Sequence, residues 1–336
     1  MTKLKFQHKQ AAHCENGVTS NLLRFYGVDL SEPMVFGLGS GFFFSHMPFY
    51  KLNDLPVTSF RVWPGLIFKR VTGRLGVDVE RVKYRDKEKA MDDLDRLLDK
   101  GIPVGMLVGV FQLPYFPREY RFHFNAHNIT VIGKENGNYI VSDPVMEHEE
   151  YLTAAELKKV RFAKGTYPPQ GRMYYIKNVP SGIDIRPSIL KGINKTAIDM
   201  LKIPIPMFGV DGIRYLSNRM RNWPVKMKPE DAALNLSQVI RMLEEIGTGG
   251  AGFRFIFAAF LQESSLLLNK NELNVLSREM TVAGDMWREF AWNAARLFKN
   301  RDRDGITYGS LANMLLNIAD KEEHVFRQLR TISHVL

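Results

Sequence analysis

The hydrophobic periodicity of the chain changes once, around Val179-Pro180-Ser181-Gly182 and the following Ile-Asp-Ile-Arg-Pro, where two prolines and a glycine interrupt every regular pattern. Ahead of that break, helical and strand patterns mix. From Glu15 to Tyr26 the positions Val18, Leu22, Leu23, Phe25 and Tyr26 keep a helical period, and Gly27 stands where a C-cap glycine would. Cys14 is thereby placed at a helix N-terminus. A second helix is predicted over Lys87 to Lys100 through Met91, Leu94, Leu97 and Leu98, and a strand-like run over Ile102 to Phe111. His127 to Gly133 and Tyr139 to Ser142 form a predicted hairpin around Asn136-Gly137, followed by a helix at Ala154 to Arg161 and a strand at Arg172 to Ile176. Beyond the break, segments near 188–202, 209–221, 230–246, 251–268, 272–299 and 308–334 all keep helical spacing. The expected fold class is α+β: an N-terminal domain over 1–180 with an antiparallel sheet, then an all-α domain over 181–336.

The single cysteine among 336 residues excludes an intrachain disulfide and any zinc site of several thiolates, and it suits a reducing compartment. No apolar run follows the basic start MTKLKFQHKQ, and the apolar stretches 34–44 and 253–268 are interrupted by glycines or by Arg254, Gln262 and Glu263. A cytoplasmic protein without a membrane span is expected. The net charge of +10 calls for an acidic partner or reflects a well-solvated basic surface, and no zinc-finger or RNP pattern points to nucleic acid.

A lone cysteine is ordinarily a buried, inert hydrophobe. Cys14 differs in setting, because His13, Glu15 and Asn16 flank it and a helix N-terminus favours the thiolate. A thiolate nucleophile needs a base that titrates near neutrality. His127, a polar residue entering the apolar strand Asn-Ile-Thr-Val-Ile-Gly, is the candidate, against the alternative of a satisfied core histidine. Asp143 follows the second strand of the same hairpin, and Pro144 restricts it to extended backbone, as it would for an ordinary turn initiator. A regular two-residue turn would pair Asp143 with Thr130 and send His127 to the opposite face, whereas a three-residue loop or a bulge puts both on one face. An odd-membered loop is expected. His13 diverges from its neighbour's thiol and is assigned to substrate contact or packing.

The runs His13-Cys14-Glu15-Asn16, Leu22 to Gly27 and Met34 to Gly41, with Ala126-His127-Asn128 and Asp143-Pro144, resemble the butirosin biosynthesis protein H family, whose N-terminal domain is related to papain-like cysteine peptidases. Ile246 to Gly250 with Phe260-Leu261 resembles the helical domain that accompanies it. The resemblance implies a catalytic triad of Cys14, His127 and Asp143. It also implies acyl transfer from the phosphopantetheine thioester of an acyl carrier protein to an amine, with no resident cofactor. Peptidases of this kind place a glutamine six residues before the cysteine, where this chain has His8. The oxyanion donors are therefore expected to be the Cys14 N–H with Gln10 or Gln7. A cysteine peptidase or amidase and a non-catalytic apolar binder are the rival readings. Gly37 to Gly41 fits neither phosphate-loop spacing and is read as a tight turn, Glu147 to Glu150 as a solvated loop, and Gly247 to Gly252 as an aid to helix packing.

Overall fold

The computed structural model describes residues 3–52, 54–118, 121–299, 301 and 305–334. In chain order the elements are α1 (Cys14–Phe25), α2 (Glu32–Leu38), β1 (Phe42–Leu52), β2 (Leu55–Arg61), α3 (Leu66–Arg74), β3 (Asp78–Val82), α4 (Lys87–Asp99), β4 (Val104–Val108), β5 (His127–Glu135), β6 (Asn138–Ser142), β7 (Glu150–Leu152), α5 (Ala154–Arg161) and β8 (Met173–Asn178). Helices follow: α6 (Arg186–Lys202), α7 (Gly209–Arg221), α8 (Trp223–Lys226), α9 (Pro229–Glu244), α10 (Arg254–Leu268), α11 (Asn271–Phe298) and α12 (Tyr308–His334). Two compact units result, Met1–Val35 with Ile67–Ile183, and Phe36–Leu66 with Asp184–Leu336.

The first unit is built on a six-stranded sheet of order β3-β8-β4-β5-β6-β7, antiparallel at every pair. Its core gathers Leu94, Leu98, Met106, Ile129, Val131, Val141, Leu157 and Val160 from the sheet and from α4 and α5. Each such fully buried aliphatic side chain contributes roughly 1.5–3 kcal/mol through its removal from water. The helices begin where their caps stand: Asp86 accepts from the Glu88 and Lys89 N–H groups ahead of α4, and Thr153 with Glu156 forms a capping box on α5. Helix α1 packs on β5 and approaches the Asp143-Pro144 turn closely. Gly17 permits that approach, since a Cβ there would lie 2.4 Å from that of Pro144, and the Ala11 N–H donates to the Pro144 carbonyl at 2.7 Å.

The hairpin corrects one expectation. Asn136 and Gly137 take φ values of 50° and 82°, so the loop is a two-residue turn with Glu135 opposite Asn138, not an odd-membered one. The missing residue appears further along β5. Lys134 pairs with Tyr139 and Gly133 with Ile140, but Val131 then pairs with Val141, leaving Ile132 as a bulge beside Gly133. Thr130 consequently faces Ser142, and the next step brings Asp143 to the level of Ile129, which shares a face with His127.

The second unit corrects the domain expectation. Its division from the first falls at Ile183 and Asp184, close to the break in periodicity, but the unit also takes residues 36–66, including the β1–β2 hairpin. That hairpin packs against α7 and α9. Phe42, Phe44 and Phe60 are buried with Phe257, Phe326 and Trp287, an environment that stacks their rings face and edge. Within this core Arg254 is fully buried, donating to both carboxylate oxygens of Glu322 and to the Gly252 carbonyl, while the Trp287 indole N–H donates to the same carboxylate at 2.7 Å. Residues Ala251–Leu268 have the length and apolarity of a membrane span, yet most of them are buried inside the unit. The preceding glycines serve packing, as expected: a Cβ on Gly252 would meet the Phe60 ring at 2.5 Å.

Candidate active site

Cys14 is the first residue of α1, and the chain entering it is pinned by one carboxylate. Glu32 accepts from the Ala12 N–H at 2.9 Å, the His13 N–H at 2.8 Å and the Asn16 amide at 3.4 Å. Burial pushes the Glu32 carboxyl above its ordinary range, and these three donors act against that rise. On the other side of α1, Glu15 is buried and accepts from the Ile67 and Phe68 N–H groups at the start of α3. His13 takes the packing alternative: it is buried, and its Nδ1 accepts from the Asn16 N–H at 3.3 Å, making it the N-cap of the helix that carries Cys14.

His127 opens β5 and Asp143 follows β6, and the bulge described above lets their side chains meet. His127 Nε2 lies 2.7 Å from Asp143 Oδ2. The carboxylate is held by two further donors, the Tyr115 hydroxyl to Oδ2 at 3.0 Å and the Val145 N–H to Oδ1 at 3.2 Å. Burial keeps Tyr115 protonated far above the usual tyrosine range, so it remains a donor. The Phe116 ring stands edge-on to the imidazole at 5.4 Å and closes that side. With Nε2 engaged by Asp143, the other ring nitrogen is left for Cys14, with which His127 also hydrogen-bonds.

Burial alone would lower the His127 pKa, but the charges of Asp143 and Cys14 and the hydrogen bonds to both outweigh it and raise it to about 10. His127 is then an imidazolium at neutral pH, and a cation beside the sulfur, together with the α1 N-terminus, favours negative charge on Cys14. Such an ion pair attacks electron-poor acyl carbon without first needing a proton removed.

A fourth side chain reaches the sulfur. Asn128, beside His127 on β5, places Nδ2 3.9 Å from Cys14 Sγ and 3.2 Å from the Ala126 carbonyl, while the Tyr174 hydroxyl donates to its Oδ1 at 2.7 Å. The Tyr174 ring lies over Gly105 of β4, where a Cβ would come within 2.3 Å of it.

The structure thus brings Cys14, His127 and Asp143 together. Gln7 and Gln10 are exposed. His8 is engaged with the Ser142 hydroxyl at 2.8 Å and the Met146 carbonyl at 3.1 Å. Glu32, Tyr115 and Tyr174 carry no signal in the sequence, since their roles arise from distant segments meeting. Asn128 lies within the Ala126-His127-Asn128 motif and was open to notice there. Gly37 and Leu38 end α2 and Gly39 to Gly41 form the turn into β1, where Ser40 donates to the Gly192 carbonyl within the second unit. Glu147 and His148 are exposed, and among the described residues no group of three or more His, Cys, Asp or Glu side chains is placed to hold a metal ion.

Residues 13–144 match the family described as butirosin biosynthesis protein H, N-terminal, and residues 155–329, more than half of the chain, match a domain of unknown function, DUF4872. The chain belongs to the DUF4872 family, and its residues 13–144 are similar to the butirosin biosynthesis protein H N-terminal family. The first family's match begins at the N-cap of α1 and ends one residue past Asp143, so it encloses Cys14, His127 and Asp143. No curated protein matches the sequence. Among solved structures, one described as a C39-like peptidase from Bacillus anthracis is similar at 12% identity, with a TM-score of 0.37, over 54% of this chain and all of that one.

Proposed function

We propose that the protein is an acyltransferase that carries an acyl group from a carrier-protein thioester, through an acyl-Cys14 intermediate, to an amine. The observation that carries this reading is the buried chain of contacts from Cys14 through His127 to Asp143. In the first half-reaction the Cys14 thiolate adds to the thioester carbonyl. The tetrahedral adduct collapses, the C–S bond to the carrier breaks, and His127 gives its proton to the departing pantetheine thiol. His127 is now neutral. In the second half an amine adds to the acyl-Cys14 carbonyl, His127 takes the proton released by the nitrogen, and the Cys14 thiolate leaves, which restores the starting ion pair. Asp143, fixed by Tyr115 and Val145, keeps the ring turned so that the same nitrogen serves both steps.

The net charge of +10 supports an acidic donor protein, because electrostatic steering speeds docking between opposite charges and weakens with salt. Hydrolysis through the same triad is the competing outcome. Intact-protein mass spectrometry after incubation with a panel of acyl-carrier and acyl-pantetheine thioesters decides the matter. The expected result is a single acyl adduct on the wild type, absent from Cys14→Ala and discharged faster by amines than by buffer. An adduct on both proteins removes Cys14 as nucleophile. Release of free acid at one rate with or without amines removes the transferase reading and leaves a hydrolase.

A further inference from the structure

The geometry points to Asn128 as a second catalytic residue at the sulfur, a hydrogen-bond donor to the Cys14 thiolate whose amide is locked in place by Ala126 and Tyr174; this rests on the nucleophile reading above. The argument starts from which way round the amide must sit. The Ala126 carbonyl can only accept, so the group 3.2 Å from it must be the NH2 end of Asn128. The oxygen end then meets the Tyr174 hydroxyl at 2.7 Å and requires a donor there. Tyr174 meets that requirement, because its burial holds the phenol protonated well above its ordinary range. With one amide hydrogen committed to Ala126, the other is directed to Cys14 Sγ at 3.9 Å. Gly105 completes the arrangement by leaving the space that the Tyr174 ring fills.

A donor at the sulfur acts at the two moments when sulfur bears negative charge: in the resting thiolate, and again when acyl-Cys14 releases the thiolate to an incoming amine. His127 is protonated at rest, neutral in the acyl-enzyme and protonated again once it has taken the amine's proton, whereas the Asn128 amide keeps its hydrogens throughout, so its donation does not depend on where that proton is.

Cys14 is the only cysteine in the sequence, so alkylation by iodoacetamide as a function of pH reports on this sulfur alone. Asn128→Ala is expected to raise the midpoint of the alkylation profile by about one pH unit, the scale of one charge-assisted hydrogen bond. Asn128→Asp, isosteric but anionic, should raise it further. Tyr174→Phe, which frees the amide without removing it, should raise it less. Circular dichroism verifies the fold of each variant, and if Asn128→Ala does not fold, the midpoint of Tyr174→Phe decides. A wild-type midpoint well below the ordinary thiol value of about 8.5 that none of these substitutions moves overturns the role of Asn128 and leaves Cys14 as nucleophile. A wild-type midpoint at that ordinary value removes the nucleophile reading and this one with it.

Discussion

Among the described residues, the ion pairs of His127 with Asp143 in the first unit and of Arg254 with Glu322 in the second are both buried, and they differ in what they leave unfinished. Around Arg254 the accounts of charge and hydrogen bonding close on themselves. Its guanidinium spans both oxygens of Glu322, Trp287 adds a third donor, and the rings of Phe42, Phe60 and Trp287 lie 4.4, 5.3 and 5.0 Å from its charge. No thiol stands beside it, since the sequence has one cysteine, Cys14. Around His127 the cation has a movable proton, the carboxylate is pinned on its far side, and the third partner is a thiol. Burial and charge pairing are common to both. Chemistry belongs to the pair whose cation can surrender its proton to a bond being broken.

Substitutions should separate the two regions. The largest effect on activity is expected from Cys14→Ser, which should slow acylation by thioesters about 10⁴-fold or more while leaving the melting temperature near that of the wild type. Arg254→Met should do the reverse: stranding Glu322 in the core costs about 3–5 kcal/mol in denaturant titration, while the folded fraction alkylates at Cys14 as before. A variant that lost reactivity at Cys14 in full proportion to folded protein would break the comparison. Asp143→Asn is predicted to slow acylation at least about 10²-fold and to bring the alkaline limb of its pH profile down from near 10, since Asp143 is a principal cause of the raised His127 value. The sign follows for stability as well. A raised pKa in the folded state contributes fully below the ordinary histidine value near 6.5 and is lost as pH climbs toward 10, so the wild-type advantage over Asp143→Asn should shrink across that window. The smallest effect belongs to Thr153→Ala, which removes the α5 capping box for about 1 kcal/mol and should leave both networks and all reactivity at Cys14 unchanged.

How much of this was readable from residues alone varied with the kind of order involved. Helices with one apolar face were plain: α5 lies over Ala154–Arg161 and α7 over Gly209–Arg221, the ranges their spacing predicts. The β1–β2 hairpin was invisible, because Phe42 and four of the five residues after it are buried on both faces and no period of two survives. The assignment of residues 36–66 to the second unit was lost with it. At the site, Cys14, His127 and Asp143 could be named because each stands at the end of a regular element. Tyr115, Tyr174 and Glu32 act only through contacts between remote segments. Gln7 and Gln10 rest on a resemblance to another arrangement of the chain, and their side chains are exposed. The need for odd parity between His127 and Asp143 was legible, with a bulge as one of its two sources; the placing of that bulge at Ile132 was not.

That device sets a rule for how this hairpin tolerates change. Because Ile132 is the one residue by which β5 outnumbers β6 between the turn and the site, side chains along the hairpin can be exchanged with modest consequence, but its length cannot be altered by one. Deleting Ile132 would make the ladder more regular and rotate His127 away from Asp143, a local gain in strand pairing that silences the site. Insertions and deletions here are tolerable only in compensating pairs, so this segment counts residues more strictly than it chooses them.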